Sequence, residues 1–155
     1  MFDTPSRPVR WAAVLLMPSL LATGCFVDDT ATLSVDRVVG TWTSADGATL
    51  SFAADRTFTS TGLASKKLAD YDERCPAGRA AGTWQFFADD GDGDSSTSQK
   101  AVSGSEVGLF FENPPQSDCS IDLTAVKAAK GRTALCVTLD PDEPCGPGIR
   151  FTRRT

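Results

Sequence analysis

Alternation between apolar and polar residues begins near Val38 and continues in short segments to Thr152. The clearest segment is 48–52, where Leu50 and Phe52 occupy alternate positions. A period of two residues is typical of a β-strand that buries one face. By this criterion the sequence predicts strands at 38–43, 48–52, 57–61, 82–87, 107–111, 120–124, 133–139 and 149–152.

Turn residues separate these segments. Asp46-Gly47 suits a tight hairpin, because such turns need residues that tolerate positive φ. Three strands within 38–61 therefore predict an antiparallel meander, and we expect the strand after Ser120 to end in a turn at 130–132. Residues 63–71 fit either one short helix or a surface loop.

The fold class expected from these elements is all-β. About eight short strands bury their apolar faces either in a small antiparallel β-barrel or in a two-layer β-sandwich. The predicted core consists of Trp42, Leu50, Phe52, Phe58, Trp84, Phe86, Leu109, Leu135, Val137 and Phe151.

The N-terminal residues have the three parts of an export signal. Arg7 and Arg10 precede an apolar run at 11–21, and the small residues of 22–24 lead directly to Cys25. This ending resembles the lipobox of bacterial lipoproteins. The resemblance implies that Cys25 carries a diacylglyceryl thioether, becomes the N-terminus after cleavage and is then acylated.

Two other interpretations of this segment are an ordinary secretory signal with a chance cysteine and a retained membrane helix. The helix is disfavoured, because an apolar run at 11–21 would reach only about half of a ~30 Å hydrocarbon core. We therefore expect a lipid-anchored protein on the extracytoplasmic side of the cell membrane. The expected division is a signal peptide at 1–24, the lipidated cysteine and a polar tether at 25–36, and a single β domain at 37–155.

Four cysteines remain besides Cys25. In an exported chain, Cys75, Cys119, Cys136 and Cys145 are expected to form two disulfides, because their gaps are too long for the close pairs of a thiolate metal site. Three pairings are possible. We favour Cys136 with Cys145 and Cys75 with Cys119, because the first pair brackets a proline-rich turn.

Composition narrows the range of functions. The chain has a net charge of −5 and no basic stripe, which argues against nucleic-acid binding. It contains no histidine, so Ser-His-Asp catalysis, Cys-His catalysis and His-ligated zinc are excluded. We expect no enzyme activity and no cofactor. The carboxylates of Glu106, Glu112, Asp118 and Asp122 could supply an acid/base pair, but we interpret them as surface groups.

An acidic segment at 89–96 has some features of a calcium loop. Asp90, Asp92 and Asp94 match its first, third and fifth positions. The match then fails, because Ser95 replaces the glycine and Ala101 replaces the final glutamate. We interpret the segment as a solvated loop and keep a weak calcium site as the alternative.

The tripeptide Gly-Thr-Trp occurs at 40–42 and again at 82–84. One interpretation is two strands that each begin with a close-packing glycine and bury a tryptophan. The other is a resemblance to lipocalin-like barrels, whose first strand carries Gly-x-Trp and whose last strand carries an arginine motif. That motif is absent in its usual form here, although Arg150, Arg153 and Arg154 lie in the corresponding place. Residues 38–61, 81–87 and 135–142 also resemble small secreted actinobacterial lipoproteins.

These features favour a non-catalytic binding module tethered outside the cell. Its expected ligand is a small apolar molecule or a component of the cell envelope such as an envelope protein, and its expected membrane contact is the lipid on Cys25. The alternative is a structural or protein-interaction lipoprotein of the cell surface that uses loops such as 89–99. The sequence does not indicate an oligomeric state.

Overall fold

The computed structural model describes residues 29–63, 75–76, 78–89, 95–113, 118–140 and 142–154. Cys25, the proposed signal peptide, the aspartates at 90, 92 and 94, and most of the predicted helix or loop at 63–71 lie outside these residues. The described part is almost entirely β-structure. Its elements are β1 (Leu33–Ser34), α1 (Val35–Val38), β2 (Gly40–Ser44), β3 (Thr49–Phe52), β4 (Thr57–Thr61), β5 (Ala80–Asp89), β6 (Ser95–Ser98), β7 (Ser103–Gly104), β8 (Glu106–Asn113), β9 (Ser120–Lys127), a 3₁₀ turn (Ala129–Gly131), β10 (Thr133–Thr138) and β11 (Arg150–Arg153).

Eight of these strands form a closed antiparallel barrel in the order β2-β3-β4-β5-β8-β9-β10-β11, and β11 pairs back with β2. The all-β prediction is confirmed, and the barrel rather than the sandwich is the architecture. Because nearly every neighbour in the sheet is also a neighbour in sequence, the barrel has an up-and-down topology. β6 is an extra strand that pairs with the end of β5, and β1 pairs with β7 in a separate two-stranded sheet.

The barrel core includes every residue that the sequence predicted for it. All ten predicted core residues are buried. Aromatic rings dominate, and the ring of Trp84 meets those of Phe52 and Phe86 edge-on at centroid distances of 5.7 and 5.5 Å. Phe58 meets Phe111 in the same manner at 5.1 Å. Edge-to-face contacts of this kind add to the stabilisation that burial of each ring provides.

The two ends of the barrel differ, and we name them by their chemistry. The basic end contains α1, the β3–β4 turn, the β9–β10 turn and the last residues of β11. The disulfide end contains the β2–β3 turn, the start of β5 and the segment between β10 and β11, and both disulfides lie toward it.

The structured domain begins earlier than predicted. The predicted tether at 25–36 is wrong for residues 29–36, which pack on the barrel. Thr30 forms a β-bridge with Val126, Ala31 donates its N–H to the Ala125 carbonyl at 2.8 Å, and Leu33 is buried. Ala31, Leu33 and Val35 alternate with polar residues, so the sequence carried a short period-two signal that the tether prediction did not use.

Two element boundaries also differ from the prediction. Val38 does not begin a strand; it ends α1, where it is fully buried. Residues 95–98, predicted as part of the solvated loop, form β6. The sequence Ser-Ser-Thr-Ser of β6 has no apolar alternation, because an edge strand outside the barrel has no core face to bury.

Candidate functional site

The first Gly-Thr-Trp sits at the basic end beside the last strand. The indole N–H of Trp42 donates to the Val38 carbonyl at 2.8 Å, which ties α1 to the floor of the barrel. Gly40 has φ 130°, and a Cβ there would lie 3.2 Å from the guanidinium of Arg153. Arg153 donates to the Val39 carbonyl at 2.7 Å and to the Arg37 carbonyl at 3.4 Å. An arginine of the last strand thus holds the backbone that precedes Gly40-x-Trp42.

The second Gly-Thr-Trp is built differently around the same residue types. A Cβ on Gly82 would collide with the Phe110 backbone carbonyl, at the point where a β-bulge shifts the pairing of β5 with β8. The Trp84 indole N–H donates to the Ala53 carbonyl at 3.1 Å. The prediction that each tripeptide begins with a close-packing glycine and buries a tryptophan is confirmed.

Arg56 packs against this second tryptophan. Its guanidinium carbon lies 4.3 Å from the Trp84 ring centroid and 5.4 Å from that of Phe86, and Nη2 donates to the Ala101 carbonyl. Nη1 is buried and has no hydrogen-bond partner among the described residues, so the aromatic faces are its main electrostatic partners. Burial lowers the pKa of Arg56. Arg56 also has φ 70°, a conformation that is unusual outside glycine.

A pocket of about 240 Å³ opens at the basic end, below the ends of β2, β10 and β11. The buried Leu33 and Trp42 form its apolar part, and the guanidinium groups of Arg37, Arg132 and Arg153 provide three positive charges. Its lining is Leu33, Arg37, Trp42, Gly131, Arg132, Thr133, Thr152 and Arg153. Guanidinium groups around an apolar floor suit a ligand that combines an anionic group with a small apolar part.

A gap at the disulfide end of the barrel is much smaller than the pocket at the basic end. This gap, bordered by Ser44, Leu63 and Phe151, has a volume of about 10 Å³, which is at the limit for one water molecule. The hydroxyl of Ser60 is buried nearby on β4 and has no hydrogen-bond partner among the described residues. We see no space there for an organic ligand unless Leu63 moves.

A second concave surface lies on the outer wall. It has a volume of about 340 Å³ and is lined by Thr59, Arg79, Ala80, Ala81 and Asn113. It carries one charged side chain, whereas the pocket at the basic end carries three. The outer-wall groove is therefore the weaker candidate for an ionic ligand.

Both favoured disulfides are present. Cys75 pairs with Cys119 and Cys136 pairs with Cys145, with Cα–Cα distances of 4.9 and 4.8 Å. The Cys136–Cys145 bridge lies on the outer face of the sheet, where it packs with Val126 and Ala134. It fastens the proline-rich segment between β10 and β11 to the wall of the barrel.

Of the four candidate carboxylates, one pair interacts. Glu106 on β8 and Asp122 on β9 lie on the outer face, where Asp122 is directly opposite Gly108. Partial burial and the charge of Glu106 raise the pKa of Asp122. Glu112 instead accepts a hydrogen bond from the Thr83 hydroxyl at 3.1 Å. Neither Glu106 nor Asp122 lines any of the three cavities described above.

Comparisons with known proteins identify no relative. No protein-family model, curated protein or solved structure matches the chain significantly. Among the described residues, no helix is long and apolar enough to cross a membrane, and no group of three or more acidic, cysteine or histidine side chains is placed to hold a metal ion. The calcium alternative at Asp90, Asp92 and Asp94 falls outside those residues.

Trp42 and Arg153 were singled out from the sequence, but the grouping of residues that lines the basic pocket was not predicted. Arg37, Arg132 and Arg153 are far apart in the chain, and only the closure of β11 on β2 brings them together. The sequence signal that pointed to this pocket was Arg153, near the end of the last strand. Its partner, the backbone before Gly40, could not be identified without the fold.

Proposed function

We propose that this protein is a lipid-anchored, non-catalytic binding module on the extracytoplasmic side of the cell membrane, with its binding site in the pocket at the basic end. The observation that carries the proposal is the grouping of Arg37, Arg132 and Arg153 around an apolar floor of Leu33 and Trp42. The ligand is an envelope component that presents an anionic group. The absence of histidine favours binding over catalysis.

We also propose that the domain is related to the lipocalin-like barrels. It is supported by the closed up-and-down barrel of eight strands and by Arg153, whose hydrogen bond to the Val39 carbonyl links the last strand to Gly40-x-Trp42. We place the ligand at the basic end rather than in the barrel interior, where large side chains such as Trp84 and Phe86 are fully buried.

Tryptophan fluorescence tests the binding site. Trp84→Phe leaves Trp42, which lines the pocket, as the only tryptophan after Gly24. In that background we expect glycerol phosphate to change Trp42 emission saturably. Arg132→Ala should weaken binding about tenfold, because it removes one charged partner of the anion. Arg79→Ala on the outer wall is the matched control and should leave the affinity unchanged. No saturable change, or equal effects of the two variants, would reject the pocket as the site.

The lipid anchor is tested separately. Cys25→Ser removes the thiol that would accept the diacylglyceryl group, so the precursor should remain unlipidated and uncleaved. Labelled-palmitate incorporation and gel mobility report both steps. Undiminished labelling of the variant would reject the lipoprotein assignment.

A further inference from the structure

The N-terminal segment joins the barrel at its basic end. Thr30 pairs with Val126 near the end of β9, and the Lys127 N–H donates to the Asp29 carbonyl at 2.8 Å. The Lys127 ammonium also lies 3.4 Å from the Asp29 carboxylate. The chain that leads back to Cys25 therefore leaves from this end and not from the disulfide end.

The connection from Asp29 to Cys25 is short. The two residues are four positions apart, and at ~3.3–3.6 Å per residue this span reaches at most about 14 Å. A lipid on Cys25 would consequently hold the basic end close to the bilayer surface. The predicted tether of 26–36 would have allowed a much longer reach, and the packing of residues 29–36 removes that freedom.

One side of this end, formed by the N-terminal segment with α1, the β9–β10 turn and the last residues of β11, carries a local excess of positive charge in an acidic protein. In the stretches 29–37, 127–132 and 153–154, the acidic residues are Asp29 and Asp36. The basic residues of these stretches are Arg37, Lys127, Lys130, Arg132, Arg153 and Arg154. These are six of the 15 lysines and arginines of a chain whose net charge is −5. The acidic segment after Asp89 leaves β5 at this same end, four strands from β11 around the barrel, and Asp55 in the β3–β4 turn and Glu106 at the start of β8 also lie at this end outside those stretches.

An exposed apolar residue adds to this surface. Val102 is 72% exposed, and its carbonyl accepts the N–H of Val35 at the start of α1. Lys100 is exposed two residues before it. An apolar side chain among basic ones is typical of surfaces that contact lipid headgroups.

We propose that the basic end docks on the anionic phospholipid headgroups of the membrane that holds the anchor, and that the pocket lined by Arg37, Arg132 and Arg153 receives a phosphate of those headgroups. This inference rests on the proposed function and gives its ligand a chemical class. The barrel then stands on the membrane with its disulfide end directed away from the bilayer.

Tryptic cleavage of the mature, lipid-modified protein on vesicles tests the docking. Lys130 lies in the exposed β9–β10 turn at the basic end, and Arg79 is exposed at the disulfide end. On vesicles with one-third phosphatidylglycerol, cleavage after Lys130 should be about tenfold slower than on phosphatidylcholine vesicles. Cleavage after Arg79 in the same molecule should be unchanged. Salt at 0.5 M should abolish the difference, because it screens charges beyond a few ångströms.

Charge-reversal variants locate the contact. Arg132→Glu should remove most of the protection of the bond after Lys130, whereas Arg79→Glu, with the same change in net charge, should retain it. Equal cleavage on the two vesicle types would overturn the proposal. Equal effects of the two variants would also overturn it, because they would indicate a response to net charge alone.

The outcomes separate this inference from the proposed function. Glycerol phosphate binding that depends on Arg132, combined with no protection on phosphatidylglycerol vesicles, would leave the binding pocket in place and reject the membrane docking. If the wild-type protein incorporates no palmitate, the lipid anchor is rejected, and the docking is rejected with it.

Discussion

The Arg56 guanidinium carbon lies 4.3 Å from the centroid of the Trp84 ring, so a charged side chain closes the base of an aromatic core. The backbone is fixed at the same point, because the Trp84 N–H donates to the Arg56 carbonyl at 2.8 Å. Together the two contacts hold the β3–β4 turn against β5.

Replacing Arg56 tests the energetic value of this stack. Arg56→Ala should lower the free energy of unfolding by about 1–3 kcal/mol, since it removes a cation–π contact and a charged hydrogen bond to the Ala101 carbonyl. Arg56→Lys should recover only part of the loss, because an ammonium lacks the planar stacking surface. Chemical denaturation measures both variants. A lysine variant as stable as wild type would show that charge alone is sufficient.

The close approach of Gly82 to the Phe110 carbonyl predicts intolerance to any side chain. Gly82→Ala should destabilise the barrel by about 3 kcal/mol or more, because the bulge between β5 and β8 cannot move without disrupting both strands. Gly78→Ala is the matched control: it has no atom within 4 Å of the added Cβ, and its effect should stay within about 0.5 kcal/mol. Similar unfolding midpoints for the two variants would contradict the bulge geometry.

The two disulfides should differ in their contribution to stability. In the chain-entropy description, a bridge between residues 44 apart is worth about 4 kcal/mol and one between residues 9 apart about 2.6 kcal/mol. Removing Cys75 and Cys119 together should therefore destabilise the domain more than removing Cys136 and Cys145 together. Denaturation of the paired alanine variants decides the order. The reverse order would indicate that packing around the β10–β11 segment outweighs the chain entropy.

The Glu106–Asp122 pair predicts a pH effect. Because the pKa of Asp122 is raised in the folded state, the native protein binds more protons than the unfolded chain just above the usual value of 3.8. The free energy of unfolding should fall as pH rises from 3.8 through the raised pKa, and the cost persists at neutral pH. Asp122→Asn should therefore be more stable than wild type at pH 7 and show a smaller difference at pH 3. Glu112→Gln, on an exposed carboxylate of β8, is the control. A destabilised Asn variant at pH 7 would contradict this interpretation.

The sequence predicted the parts of the fold that depend on burial. Leu50 and Phe52 alternate with polar residues because β3 has one face in the core, and this signal was sufficient to place all eight barrel strands. β6 was missed because Ser95–Ser98 lies outside the barrel and has no apolar face. Leu33 belongs to the same core cluster as Trp42, and it was missed because residues 29–36 were assigned to the tether.

The candidate site was less predictable for a physical reason. Its charged residues come from α1, the β9–β10 turn and β11, so no local pattern connects them. The disulfide pairing was predictable, because the proline-rich segment between Cys136 and Cys145 limits the distance between its own ends. Sequence reasoning thus succeeded where the constraint was local and failed where it required barrel closure.

The barrel closes between β2 and β11, and this closure affects how the chain folds. Trp42 pairs with Arg153, so the final seam forms only when the C-terminal residues are available. Contacts at such a sequence separation slow folding, because the ends of a long loop must meet before any contact rewards them. A chain still emerging from a ribosome or a translocation channel would expose the edges of both β2 and β10 until its last residues arrived. Loss of β11 would leave those two edges open to pairing with another molecule.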